Sequence, residues 1–504
     1  VNIGSASAEI GDVYLANSKK VYFGSTQTLS IHNDGSNSLI TDSSSAMFVR
    51  SNRILFQNSG GTEGYGEFNQ NGSVYWTHDN IKRIETTATG IDVTGEVAAS
   101  QDYPNIRPLL DFNFAATKKL DPRLEYRRTG PASFVNEFGK VVIVGDNTPR
   151  FDHDPVTRES KGILIEESRT NLATSGTIIG DTGWYNQPSF GTNLRDSTAP
   201  DDTTTATRIT SLNTKTDPDL YSYLQYSIGS NKTITHTIYI KSPDTTNVGK
   251  EINFRGKRIG GTSSSWGQKF ILTAEWQRVT ITHTYQSDNS TGRAYIGSDP
   301  NTSHGAGAAT ACLFWGLQVE AGSFATSFIP TNGSTVTRGN ESFEIDGEDF
   351  TDFSNATEGT VLSHITPLDN SLGNHSGTGG VVWSFDAGGS FGNGHYLSNA
   401  NSTTAFGHSV VVGSSGQNTG GGTGNMTNGV PFKNATVFKK DDFIMATNGT
   451  LATADTSGNL PTVVKLVLGN NGWGNALNAA NIHFNRFAYY PKRLPNTQLV
   501  TLTS

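Results

Sequence analysis

Short apolar runs alternate with turns throughout residues 1–100. Turn residues such as those of 33–35 and 71–72 adopt positive φ at little cost. The runs recur about every 8–12 residues, which is typical of all-β structure. Candidate strands, each with two or three apolar side chains, are 20–23, 28–31, 47–49, 53–56 and 73–76. Because two or three apolar side chains per strand are too few for the core of a single chain, we predict a fibrous β shaft in which three chains share one axis. The alternative is a small monomeric sandwich.

The pattern changes over residues 101–172. Segment 108–114 alternates like a strand, and 124–128 and 140–144 are two further strand candidates. The densest cluster of charge in the chain follows at 149–172. We interpret this part as a small β joint domain between the shaft and the blocks that follow.

Two larger blocks make up the rest of the chain. Residues 173–340 contain an alternating strand at 233–241, and residues 341–504 contain a hairpin pattern around the turn Asn448–Gly449. Each block is long enough for a jelly roll or β-sandwich. The predicted fold class is therefore all-β, with an N-terminal shaft, a small joint domain and two C-terminal sandwiches.

Composition agrees with thin β structure that has much surface and many turns. Of the 504 residues, 34% are apolar and 16% charged, and 56 are glycine; an apolar fraction of about 45–50% is usual. Residue 1 is Val and not Met, which we interpret as a chain cut or processed from something longer.

Charge and hydropathy exclude several classes of partner. The net charge of −8 argues against nucleic acid. Apolar runs such as 141–144 are far below the roughly 18 residues that a membrane helix needs. Cys312 is the single cysteine, which excludes an intrachain disulfide and a cysteine-based metal site. We predict no cofactor and no metal.

Catalysis on a glycan needs two carboxylates that face one sugar bond, about 5–9.5 Å apart. Glu166 and Glu167 are adjacent on a predicted strand, so alternation sends them to opposite faces. Asp152 and Asp154 could share a face as an acid–base pair or a cation site. The alternative is structural, with both aspartates capping turns and pairing with Arg150 or Arg158.

Sugar binding asks for less, namely an exposed aromatic face with amides or carboxylates beside it. The last block offers Trp383 and Trp473, although the strand context of Trp383 favours a place in the core. Trp184 and Tyr185 lie in a predicted loop of the block before it. The candidate glycan-binding residues are Trp473, Asn471, Tyr396, His395, Trp383, Trp184 and Tyr185.

Five segments of the chain resemble parts of known protein families. Residues 33–42 and 71–95 resemble the shaft repeat of tail fibres of tailed bacteriophages, especially marine and cyanobacterial ones, and 107–172 resembles a domain common in phage tail proteins. The block ending in 314–338 resembles a carbohydrate-binding-module-like jelly roll. Segment 484–503 resembles the last strand and short helix of concanavalin-like, laminin-G-like lectin domains.

This resemblance implies a homotrimeric tail fibre of the virion that binds cell-surface glycan, lipopolysaccharide or capsule, and so mediates host adsorption without catalysis. It implies exposure to the extracellular medium and attachment to other tail or baseplate proteins through a part that precedes residue 1. Two alternatives remain: a tailspike-type depolymerase that cuts the glycan, and a purely structural fibre with adhesion on another subunit.

Overall fold

The chain divides into two compact units, Val1–Gln101 and Asp102–Ser504, in a computed structural model. Both are built from strands, with three short helices among the described residues of the second unit, so the predicted all-β class is confirmed. None of the helices in the described part is long and apolar enough to span a membrane. The structure describes residues 11–23, 25–43, 46–88, 90–94, 107–177, 179, 183–185, 194–210, 222–228, 233–259, 265–284, 291–297, 308–369, 380–388, 392–399, 405–418, 421–470 and 479–504.

The first unit contains two antiparallel meanders, one of three strands and one of five. The three-stranded sheet is β1 (Lys20–Phe23), β2 (Leu29–Asn33) and β3 (Ser38–Asp42). The five-stranded sheet is β4 (Arg53–Gln57), β5 (Gly64–Asn69), β6 (Val74–His78), β7 (Ile81–Thr86) and β8 (Ile91–Val93).

One face of the five-stranded sheet is apolar and exposed. Cross-strand pairing places Phe56, Trp76, Ile84 and Val93 in a single row, with Gly66 between the two aromatic residues. All four of these apolar side chains are more than one-third exposed. In this unit the period-two alternation therefore sorts side chains by polarity without giving the apolar set a core.

The opposite face of the same sheet is polar and internally bonded. Glu67 accepts hydrogen bonds from Arg53 Nη2 at 2.8 Å and from the Tyr75 hydroxyl at 2.6 Å. These two bonds lower the pKa of Glu67 to about 2. The two faces of this meander are therefore chemically distinct.

The segment predicted as a joint domain begins the second unit. Its elements are β9 (Leu110–Phe112), α1 (Phe114–Thr117), β10 (Glu125–Arg127), β11 (Ala132–Val135), β12 (Val141–Val144), β13 (Phe151–His153), β14 (Ser160–Ile165) and β15 (Arg169–Asn171). Four of these strands extend the two sheets of the last sandwich, because they are short and that sandwich offers sheet edges to pair with. Strands β9, β10, β13 and β14 of the predicted joint segment 101–172 thus pair into the last sandwich, whereas β11 and β12 pair with each other and β15 pairs with the later strand at 336–338.

A glycine allows the close approach of β14 to the segment that contains Phe484. Gly162 of β14 has φ +85°, and a Cβ there would lie 2.3 Å from the Phe484 carbonyl oxygen. Two backbones pass close to each other at this point, so only a residue without a side chain fits.

The middle sandwich packs two five-stranded antiparallel sheets. Its strands are β16 (Trp184–Tyr185), β17 (Leu194–Ser197), β18 (Ala206–Thr210), β19 (Ser222–Ser227), β20 (Thr233–Lys241), β21 (Glu251–Ile259), β22 (Ser265–Ile271), β23 (Gln277–Thr284), β24 (Thr291–Gly297) and β25 (Ala311–Ala321). One sheet has the order β16-β19-β24-β21-β22 and the other β17-β18-β25-β20-β23. Ile238, Phe254 and Phe314 are among the residues of the core between them.

The connection to the last sandwich contains β26 (Val336–Arg338), which pairs with β15, then β27 (Ser342–Ile345) and α2 (Gly347–Thr351). The remaining elements are β28 (Glu358–Pro367), β29 (Val381–Asp386), β30 (Gly394–Asn399), β31 (Ala405–Val412), β32 (Ser415–Gly416), β33 (Gly421–Asn425), β34 (Phe432–Lys439), β35 (Asp442–Thr447), β36 (Thr450–Leu451), β37 (Lys465–Leu468), β38 (Ile482–Tyr490) and α3 (Asn496–Thr503).

Two eight-stranded sheets form this sandwich. One has the order β10-β27-β37-β29-β30-β31-β32 with β33 on β31, and the other β13-β14-β38-β28-β34-β35-β36 with β9 on β38. The predicted hairpin at Asn448–Gly449 is confirmed, with φ of +44° and +77° in a two-residue turn between β35 and β36. The predicted final strand and helix are present as β38 and α3.

A buried ion cluster lies where the two sandwiches meet. Arg150 Nε donates to Glu341 Oε1 at 2.8 Å, and Arg150 and Arg338 reach Glu166 Oε2 at 2.8 and 2.9 Å. The Ser327 hydroxyl, from the loop after β25, donates to the same oxygen at 2.6 Å. Some of the charged side chains of 149–172 are thus buried. Their ion pairs connect elements of both sandwiches.

Candidate functional site

Three tyrosines and an arginine form a cross-strand row on the outer face of the middle sandwich. Tyr185 of β16 pairs with Tyr223 of β19, Tyr223 with Tyr295 of β24, and Tyr295 with Arg255 of β21. Alternation explains the shared face, because a direct chain neighbour of each residue lies in the core, namely Trp184, Leu224, Ala294 and Phe254. We call these four residues the tyrosine row.

The rings of the row touch in sequence. Tyr185 and Tyr223 stack with centroids 4.8 Å apart and planes 14° apart. Tyr223 and Tyr295 follow at 5.0 Å and 39°. Tyr185 is 56% exposed, Tyr223 half-buried and Tyr295 buried. The row therefore runs from an exposed ring to a buried one, and its accessible aromatic surface belongs to Tyr185 and Tyr223.

Arginines cover the inner part of the row. The Arg293 guanidinium lies 4.3 Å from the centroid of the Tyr223 ring, and its Nε donates to Gln225 Oε1 at 3.1 Å. The Arg255 guanidinium lies 4.9 Å from the centroid of Tyr295. Such cation–π contacts hold planar donors beside the aromatic faces.

A cleft of about 620 Å³ opens at the exposed end of the row. Trp184, Tyr185 and Tyr226 are its aromatic lining residues, and of these three Tyr185 is the exposed one. Hydroxyl and amide groups of other loops and strands complete it, from Thr174, Gln225, Ser227 and Thr335. The volume lies within the range of small-ligand sites, and an aromatic wall with hydroxyl and amide groups suits a polyhydroxylated ligand.

Trp184 and Tyr185 were both predicted to be open to binding from a loop, and they differ in the structure. They form the short strand β16, so their side chains point to opposite sides. Trp184 is buried in the core, where its indole N–H donates to the Ser175 carbonyl at 2.9 Å. Trp184 therefore anchors the strand that presents Tyr185.

The described candidates of the last sandwich, Trp383, His395 and Tyr396, do not form a surface site. Trp383 and His395 lie in the core, where the His395 ring stacks on Phe385 at 4.8 Å. Burial, and after it the neighbouring His408, keeps the pKa of His395 well below its usual value. Such side chains have no exposed face to offer a sugar, and the core alternative for Trp383 holds.

Tyr396 points to the other side of β30 and is also buried, against Val381 and Val411. Burial raises the pKa of its hydroxyl to about 12. Trp473 and Asn471 lie outside the described residues.

Sequence reasoning missed Tyr223, Tyr295, Arg255 and Arg293. The signal was present as alternation: in 222–228 the polar and aromatic positions Tyr223 and Gln225 interleave with residues of the core. What the pattern does not contain is the pairing of distant strands, which brings the tyrosines together.

The carboxylates considered for catalysis have structural partners. Asp154 accepts from the amides of Val156 and Thr157 and so caps a turn, as the structural alternative predicts. Asp152 pairs with His483 at 2.7 Å and not with Arg150. Within the described ranges, no three His, Cys, Asp or Glu residues group closely enough to hold a metal ion.

Glu166 and Glu167 follow β14 and turn to different partners, as alternation predicts. Glu166 binds Arg150, whereas Glu167 forms an ion pair with Arg169 and accepts a bond from Asn481 Nδ2 at 3.2 Å. Neither is therefore positioned with the other as a glycosidase pair.

No family model matches this chain, and no curated protein matches it. Among solved structures, it is similar to the NanB sialidase of Streptococcus pneumoniae, at 14% identity over 31% of this chain and 26% of that one, with a TM-score of 0.26. Domain 4 of the GH43 arabinanase AbnA from Geobacillus stearothermophilus, in complex with arabinotriose, matches at 14% identity over 33% and 73%, with a TM-score of 0.22. A CBM4 structure matches at 21% identity over 31% and 86%, with a TM-score of 0.19. The weak neighbours thus include carbohydrate-binding and glycan-active folds, and at these TM-scores they carry no argument about function.

Proposed function

We propose that this protein binds glycan through the tyrosine row of its middle sandwich. The observation that carries the proposal is the run of contacting rings beside a polar cleft, with Tyr185 stacked on Tyr223 and Tyr223 tilted against Tyr295. The C–H faces of sugar rings pack on aromatic rings, and their hydroxyls bond to amides, hydroxyls and guanidinium groups. Gln225 and Arg293 lie next to the rings and provide such groups.

The test uses an array of bacterial polysaccharides, followed by titration calorimetry of the strongest binder with the full chain. Tyr185→Ala should weaken binding at least tenfold, since it removes the exposed ring at the mouth of the cleft. Tyr65→Ala is the matched control, because Tyr65 is a tyrosine of similar exposure in the first unit. Equal affinity of wild type and Tyr185→Ala would overturn the proposed site.

We further propose that the chain is a tail fibre of a bacteriophage virion, exposed to the medium and used for host adsorption. The support is the resemblance of 33–42, 71–95 and 107–172 to segments of phage tail and tail-fibre proteins, together with the glycan site proposed for the middle sandwich. In this setting other tail or baseplate proteins would hold the fibre. A virion preparation probed with antibody against the chain tests this; label confined to the tail tip is the expected result, and unlabelled particles would refute it.

Self-association as a homotrimer belongs to the same proposal. Its support is the uncovered apolar faces of the first unit, which include the row Val21, Ile31 and Ile40 of the three-stranded sheet. A second and third copy of this chain would bury such faces around a common axis.

A further inference from the structure

Four cationic side chains share the outer face of the sheet with the tyrosines. Arg255 and Lys257 lie on β21, Lys269 on β22 and Arg293 on β24, and strand register keeps all four on the tyrosine side. Glu251 is the one acidic residue within the described strands of this sheet. It pairs with Lys269 at 2.9 Å.

This local charge runs against that of the whole molecule. The chain carries a net charge of −8, with 37 Lys and Arg against 45 Asp and Glu. The described strands of this sheet face still place four cations against one carboxylate. A cationic patch on an acidic chain attracts anions locally.

Arg293 is held in position for recognition. Its guanidinium lies over the Tyr223 ring, Nε bonds to Gln225, and Nη1 donates to the Tyr295 hydroxyl at 3.4 Å. These neighbours are neutral, so they orient the guanidinium without neutralising it. A planar guanidinium fork matches the geometry of a carboxylate or phosphate.

We infer that the tyrosine row takes an acidic glycan, a polysaccharide whose rings carry carboxylate or phosphate groups. The sugar rings pack on Tyr185 and Tyr223 while the anionic group meets Arg293, with Lys257 beside it in strand register. This inference rests on the proposed function and adds the chemical class of its ligand.

The test compares matched polysaccharides on the full chain. The probes are polygalacturonate and alginate with their carboxyl-reduced forms, a phosphomannan with its dephosphorylated form, and the strongest binder of the array after the same treatment. Removal of the acidic group should weaken binding at least tenfold, and the treated pair that responds tells carboxylate from phosphate. Unchanged binding by every treated form would overturn the inference.

Variants separate this inference from the proposed function. Arg293→Gln should weaken binding of the acidic form at least tenfold and that of the neutral form much less, whereas Tyr185→Ala should weaken both at least tenfold. Arg293→Lys keeps the charge and loses the fork, so an intermediate affinity is expected. Arg208→Gln, on the other sheet, is the control and should bind like wild type.

If Tyr185→Ala weakens binding and Arg293→Gln and Arg293→Lys both bind like wild type, the glycan site stands and its acidic specificity fails. If no polysaccharide binds at all, the proposed function fails and the inference with it. Circular dichroism of each variant confirms that it is folded before its affinity is interpreted.

Discussion

Three of the buried histidines, His236, His395 and His408, lie in the cores of the two sandwiches. His236 lies in the middle sandwich, with its Nε2 2.6 Å from the Tyr226 hydroxyl, while His395 and His408 lie in the last, with ring centroids 6.0 Å apart. Burial lowers the pKa of His236 and of His408 to about 3, and that of His395 well below its usual value. Each is therefore neutral at pH 7 and costly to protonate in the folded state.

This predicts acid sensitivity in a defined window. Because the folded pKa lies below the unfolded value of about 6.5, the unfolded state binds more protons as the pH falls through that value, and stability drops. Each of the three histidines His236, His395 and His408 should cost about 2 kcal/mol between pH 7 and pH 5. Urea unfolding followed by near-ultraviolet circular dichroism measures this, and a flat free energy of unfolding over the window would contradict it.

Variants assign the effect to the histidines. His408→Gln should reduce the loss of stability between pH 7 and pH 5 by about 2 kcal/mol, and His78→Gln, at an exposed site of the first unit, is the matched control. Carboxylates titrate elsewhere: burial would raise the pKa of Glu166, but Arg338 and Arg150 outweigh burial and lower it to about 2. Its contribution is present at neutral pH and is lost only below about pH 4.5.

At the residue scale, the sequence predicts on which face of a strand a side chain lies. It predicts less well which other residues lie on that face. Tyr185 was a candidate from the sequence, and alternation separates it from Trp184 once β16 is recognised as a strand. His395 could not be placed from its own neighbourhood, because Phe385 and His408 reach it from β29 and β31.

At the scale of elements, the buried ion cluster connects strands and loops of the two sandwiches through hydrogen bonds and ion pairs. Glu341, which precedes β27, accepts hydrogen bonds from the side chain of Arg150 and, through Oε2, from the Glu166 amide at 2.7 Å. Water has no access to these groups, because Arg150 and Glu341 have no exposed side-chain surface. Removing one charge therefore leaves the other charges without compensation.

Glu341→Gln should destabilise the second unit by about 3–5 kcal/mol, the usual cost of breaking a buried pair. Thermal and urea unfolding measure the loss. Glu125→Gln is the control, because it removes an exposed carboxylate that pairs with Arg127 at 2.8 Å, and exposed pairs contribute little. Equal midpoints for the two variants would show that the cluster does not stabilise the unit.

The sequence locates this charged stretch but not its partners. Glu166 and Glu341 are 175 residues apart, and β14 pairs with β38 across more than 300 residues. Local patterns specify strands and turns, such as the hairpin at Asn448–Gly449. They contain no information on which remote strand a short strand pairs with, so the pairing of β9, β10, β13 and β14 with strands of the last sandwich could not be predicted.

At the scale of the whole molecule, the first unit is incomplete as a single chain. Twenty of its apolar residues are more than one-third exposed in the described part, among them Trp76, Ile84 and Val93. Water contact with that much apolar surface is unfavourable, and neighbouring copies remove it. The sequence indicates this shortage of core, and the sheet register adds that Trp76, Ile84 and Val93 share one face.

We therefore expect the full chain to be a trimer, with a mass by light scattering near three times 54.0 kDa. Val93→Lys places a charge on the apolar face and should shift the mass toward one chain. Asp92→Lys, on the opposite face of the same strand, should leave it unchanged. A wild-type mass near one chain would refute the trimer. Equal masses for the two variants would show that this face is not the contact, because charge on a buried apolar interface must weaken it.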